Sequence, residues 1–149
     1  WACQLVRDLG GVPLVVAETE KTLYHAAACV ASNYLTTLLS VVEDLYRSLG
    51  VDARSARQAF WPLVLGTLRN IEAHGPAEAL TGPIARGDVG TLRRHLAALR
   101  AAKPEFLEMY RLMGLMTVGL SERQNRLSPE VITEMKDLLK GGCEDEHAR

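Results

Sequence analysis

The hydrophobic positions of this chain recur with helical spacing almost throughout, and the longest such run covers residues 19–49. At about 100° per residue, Leu23, Ala27, Val30, Ala31, Leu38, Val41, Val42 and Leu45 fall on one side of that helix, which predicts a core-facing side. Lys21, His25, Ser32 and Thr36 fall opposite, within roughly a 60° arc. That opposite side changes character along its length. Its later half carries Glu43, Asp44 and Arg47, as a solvated surface does, whereas its first half offers Ala28, Cys29, Ser32 and Asn33. A polar row set among small residues predicts a surface that something else covers.

Before the long helix, residues 2–9 read as the end of a helix stopped by Gly10-Gly11, and residues 12–17 as a short apolar strand. One strand has no ladder partner of its own, so it is expected to be the remnant of an α/β domain lying upstream. The first residue, Trp1, fits a chain that is part of a longer one. Everything after the strand reads as helix. Glu18 or Thr19 can cap the long helix and Gly50 ends it; Asp52 caps a second helix to about His74, with Pro62 expected to kink it near Trp61. A short helical turn at 76–80 follows, then the 81–88 loop, and Asp88 caps a helix over Val89–Ala102. Pro104 opens another to about Arg123, Ser128-Pro129 opens a last one to Lys140, and residues 141–149 are expected to be a disordered tail. The fold class is therefore all-α: a multi-helical bundle of about five to six helices around one long central helix.

Composition narrows the partners. At 149 residues and 48% hydrophobic content the chain can bury a core. Seventeen basic and eighteen acidic side chains give a formal charge of -1, which leaves no electrostatic footprint for nucleic acid or an anionic membrane. Cys3, Cys29 and Cys143 are odd in number and widely spaced, forming neither a disulfide framework nor a zinc motif; a reducing, cytoplasmic compartment is expected. No apolar run is expected to reach the roughly 20 uncharged residues that span a bilayer.

Lys21 and His25 stand one helical turn apart, so their heads can reach a common point, the lysine holding an anion or donating a proton and the histidine acting as acid or base. The plainer alternative is a solvated first-turn lysine and a histidine packed beside Tyr24. His25 and Cys29 at i, i+4 are too few ligands for zinc, so no metal is expected. Ser32, Asn33 and Asn70 can hydrogen-bond a ligand or satisfy helix carbonyls. In the 81–88 loop, Gly82 and Gly87 permit close backbone approach, Thr81 offers a hydroxyl, and Arg86 a fork suited to carboxylate or phosphate. Turn chemistry ending in a cap explains the same glycines and proline. There is no glycine-rich phosphate loop and no ordered Ser/His/Asp set. Residues Leu107, Met109, Met113, Leu115, Met116, Val118 and Leu120 leave almost no polar face, which predicts a helix buried in a core or an interface, with Gly114 and Gly119 allowing another helix close.

Tyr24-His25-Ala26-Ala27-Ala28, Ala31-Ser32-Asn33-Tyr34, Gly66-Thr67-Leu68-Arg69-Asn70-Ile71 and Thr81-Gly82-Pro83-Ile84-Ala85-Arg86-Gly87-Asp88 together resemble a bacterial oxidoreductase-like family of unassigned substrate. Its members join a Rossmann-like NAD(P)-binding domain to a helical C-terminal domain of unknown function, and the resemblance runs from Leu9 to about Leu139. More distantly the chain is similar to pyrroline-carboxylate reductase, ketopantoate reductase and the 3-hydroxyisobutyrate and 6-phosphogluconate dehydrogenases. In several of these, a lysine early in the first long helix after the Rossmann domain meets the reacting oxygen and an asparagine one turn later orients the substrate. Lys21 has the comparable place; His25 stands where the asparagine would be.

The resemblance implies that residues 1–17 are the end of a Rossmann-like domain and residues 18–140 a helical substrate and dimerisation domain. NADP or NAD would be bound mainly by the upstream domain. Lys21 and His25 are the expected catalytic pair, and Ser32, Asn33, Thr81 and Arg86 the expected substrate contacts, in a cytoplasmic homodimer acting on a small molecule. The alternative is a non-catalytic dimerisation or ligand-sensing domain derived from a reductase.

Overall fold

The computed structural model describes residues 1–141, so the expected tail, with Cys143, lies outside the described residues except for Gly141. Seven helices and no strand occur among them: α1 (Ala2–Asp8), α2 (Glu18–Ser48), α3 (Ala53–Glu78), α4 (Pro83–Arg86), α5 (Val89–Ala102), α6 (Leu107–Glu122) and α7 (Pro129–Lys140). The all-α class follows. The strand expected at 12–17 is not formed. An isolated apolar segment has no neighbour to take its amides and carbonyls, and it runs without regular structure into the 3-10 turn Glu18–Glu20 that begins α2.

Two compact units divide the chain, Trp1–Val42 and Glu43–Arg149. The first contains α1 and most of α2, and none of its residues is buried. The side of α2 expected to face a core is bare in its first half: Leu23 is 74% exposed and Val30 58%. Residues 22–42 contain no Asp, Glu, Lys or Arg. Contrary to the expectation from hydropathy, α2 is thus long and apolar enough to cross a membrane by length and composition.

In the second unit, Asp52 caps α3, its Oδ1 accepting from the backbone amides of Arg54 at 2.9 Å and Ser55 at 3.1 Å. These bonds, with the Ser55 hydroxyl contributing most, hold the Asp52 carboxyl below its ordinary value. Ala56 and Phe60 are buried, Phe60 lies 6.1 Å from the Tyr46 ring, and Arg57 pairs with Glu43 at 2.8 Å. Pro62 does not break the helix where a kink was expected. The non-helical dihedrals inside α3 fall at Gly75 (φ 77, ψ 164), a region that glycine alone enters freely, and Pro76 restarts the chain for a last turn.

The hydrophobic core is built by the short C-terminal helices: Ile84, Val89, Leu92, Leu96, Val118, Met135, Leu138 and Leu139. Val89, Leu92 and Leu96 on α5, and Met135, Leu138 and Leu139 on α7, have helical spacing, and burying a side chain of this size contributes about 1.5–3 kcal/mol. Asp88 caps α5 by accepting from the Thr91 amide at 2.9 Å, and Ser128 caps α7. Helix α6, expected in a core or an interface, is partly enclosed. Its Val118 and Ser121 are buried against α7 and the core, while Leu112 is 61% and Met116 64% exposed.

Candidate functional site

Four of the expected site residues lie on α2, and the helix changes its winding among them. Residues Val30–Tyr34 form a π turn, wider than an α turn. Just beyond it the Thr36 hydroxyl donates to the Ser32 carbonyl at 3.0 Å and the Thr37 hydroxyl to the Asn33 carbonyl at 3.1 Å. Such back-bonding competes with helix amides and bends helices. Single π turns within α-helices occur frequently at functional sites. The signal in the sequence is the adjacent pair Thr36-Thr37, whose hydroxyls reach carbonyls four residues back whatever side chains stand there.

His25, Cys29 and Asn33 form a ladder at i, i+4 and i+8. His25 Nε2 lies 3.6 Å from Cys29 Sγ, and Asn33 Nδ2 donates to the same sulfur at 3.9 Å. Cys29, set aside as a metal ligand, is the middle rung and the least exposed of the three. No group of three or more His, Cys, Asp or Glu side chains able to hold a metal ion occurs among the described residues. Lys21 stands at the start of the same helix, its Nζ 2.5 Å from Glu18 Oε2, with both side chains largely in solvent. The row is thus open, hydrogen-bonded along the helix, and flanked by uncovered apolar residues.

Thr81 and Arg86 belong to the second unit and part company there. Thr81 lines a cavity of about 290 Å³ with Pro83, Ile84, His95, Tyr110, Met113, Gly114 and Thr117. Arg86 is exposed at the end of α4 and is not among the lining residues. Its charge acts on Asp88, whose carboxyl is held below the ordinary value first by the Thr91 hydroxyl and amide, and then by Arg94 and Arg86. Gly82 (φ 93) and Gly87 (φ 68) both need positive φ, so turn chemistry accounts for them. Asn70 is exposed on α3. His95 and Tyr110, hydrogen-bonded to each other at 2.8 Å, are site-like residues that the sequence did not single out, because their fifteen-residue separation carries no motif.

The fold and this row define a helical domain with an uncovered, mixed-polarity helix rather than a closed catalytic centre. The family described as a domain of unknown function, DUF2520, matches residues 1–117, and the chain belongs to that family. No match was found among curated proteins or among solved structures.

Proposed function

We propose that this chain is the helical C-terminal domain of a cytoplasmic NAD(P)-dependent oxidoreductase of unassigned substrate, supplying the substrate-side wall of its active site and a homodimer interface. The observation that carries the reading is α2 itself: a helix with no buried residue, bearing Lys21, His25, Ser32 and Asn33 around a π turn. The resemblance to reductases with a lysine at this place supports it. The dinucleotide itself does not fit the residues described here. They contain no strand, hence no strand–turn–helix cradle for its phosphates, and it would be held by a separate Rossmann-like domain.

Within this reading, Lys21 Nζ exchanges Glu18 for a substrate oxygen and holds or protonates it. An exposed ion pair is weak enough to be exchanged. His25, next to Cys29 and one turn from Lys21, orients the substrate or moves a proton at Nε2. Ser32 and Asn33 contact the substrate beside the widened turn.

The test is cofactor oxidation by the whole enzyme, screened over small carbonyl and imine compounds with NADPH and NADH. Lys21→Ala and His25→Ala should each lower turnover by about 100-fold or more. Unchanged turnover in both variants overturns the catalytic assignment. The presence of His25 where related enzymes carry asparagine favours one rival, a ligand-sensing dimerisation domain without chemistry. That rival predicts ligand binding with no cofactor oxidation. Light scattering checks the interface separately: a dimer is expected, and a clean monomer counts against it.

A further inference from the structure

The His95–Tyr110 pair stands between two cavities of the second unit. One, of about 310 Å³, is lined by Leu45, Ser48, Leu49, Ala98, Leu99 and Ala102 together with both members of the pair. The other, of about 290 Å³, has Thr81 and Thr117 among its lining residues, and again both members of the pair. Neither is lined by an Asp, Glu, Lys or Arg. Two of the lining hydroxyls are already engaged: Ser48 donates to the Leu45 carbonyl at 2.7 Å and Thr117 to the Met113 carbonyl at 2.7 Å. His95 Nε2 and the Thr81 hydroxyl have no protein partner among the described residues, and both residues are exposed.

The protonation pattern follows from the pair. Burial pushes the Tyr110 hydroxyl up from the ordinary tyrosine value, so it stays a phenol. When the phenol donates to Nδ1 across 2.8 Å, a neutral imidazole carries its own proton on Nε2. The cavity walls then present an N–H donor beside an apolar groove that no Asp, Glu, Lys or Arg lines. A carboxylate set there would lose water without meeting a cation, which is costly; a neutral carbonyl oxygen would gain a donor at little cost.

We propose that the two cavities form one binding site for an uncharged amphipathic carbonyl compound, an alkyl or aryl ketone, ester or amide. Its oxygen accepts from His95 Nε2, and its apolar body lies along Leu45, Leu49, Ala98 and Ala102. The site lies wholly in the second unit and uses neither Lys21 nor His25, so it stands or falls apart from the catalytic reading above.

The test is an NMR titration of the full chain with acetophenone as probe, and with ethylbenzene and benzoate as comparators. Acetophenone should give saturable shifts at the lining residues, binding about 5-fold or more tighter than ethylbenzene, as one neutral hydrogen bond requires. Benzoate should bind more weakly than acetophenone. His95→Ala should erase the advantage over ethylbenzene, and Ala98→Phe, which fills the groove from an exposed position, should abolish binding of both. Equal binding of acetophenone and ethylbenzene, tighter binding of benzoate, or an advantage that survives His95→Ala overturns the proposal. Should His95→Ala fail to fold, His95→Phe keeps a ring and removes the N–H donor; an undiminished advantage there overturns it equally.

Discussion

Gly114 lies directly beneath Leu139. A Cβ built at Gly114 would stand 2.7 Å from Leu139 Cδ2 and 3.1 Å from Cδ1, so the missing side chain is what lets α6 and α7 pack at this distance. Leu139 is 1% exposed and has little room to turn away. Gly114→Ala gains about 1 kcal/mol of helix propensity but incurs about 1–3 kcal/mol of overpacking. A net loss of stability is expected in urea unfolding. In a Leu139→Ala background the same substitution should become stabilising, and a loss of equal size in both backgrounds would show that the contact is not the cause.

Gly87 combines two constraints. Its φ of 68 is left-handed, and a Cβ would lie 2.8 Å from Val131 Cγ1 and 3.2 Å from Leu127 Cδ2. Left-handed backbone costs a non-glycine residue about 1–2 kcal/mol before any clash. Gly87→Ala should therefore destabilise the unit by about 2 kcal/mol or more. A midpoint shift indistinguishable from zero would contradict this.

Ser121 is 1% exposed on α6 and its hydroxyl has no hydrogen-bond partner. A buried unsatisfied hydroxyl costs about 1–3 kcal/mol of desolvation. Ser121→Ala should leave stability unchanged or raise it by about 1 kcal/mol. Calorimetry showing a clear drop in Tm would reveal a partner that the geometry lacks.

Asp88 caps α5 with its carboxyl held below the ordinary value of 3.8 by Thr91. A depressed folded-state pKa stabilises above the unfolded value and is lost as pH falls through the folded one. The gap in Tm between the natural chain and Asp88→Ala should be widest at neutral pH and should narrow as pH drops below 3.8. Asp88→Asn, which keeps an acceptor, should lose less. A gap that stays constant into acid would exclude the charged cap as its origin.

Much of the helical layout was legible because it depends on local chemistry. Asp52, Asp88 and Ser128 cap where their side chains can reach the next amides, and Gly50, Gly75 and Gly141 adopt backbone angles that close a helix. The π turn was not legible, since it depends on a balance between Thr36 and Thr37 hydroxyls and backbone amides that period counting ignores. Nor was the 12–17 segment, whose short apolar run signals a strand only where a partner strand exists.

By itself, then, the sequence determined the helices, most of their ends, the all-α class and the row of Lys21, His25, Ser32 and Asn33 along one helix, because these follow from 3.6-residue periodicity and short-range hydrogen bonds. Tertiary structure alone decided which apolar faces are covered. It gave the core to α4–α7, left both sides of early α2 bare, separated Thr81 from Arg86, and set His95 against Tyr110. The physical reason is that burial and side-chain meeting depend on contacts between residues far apart in the chain, for which amphipathic spacing specifies a face but not its partner.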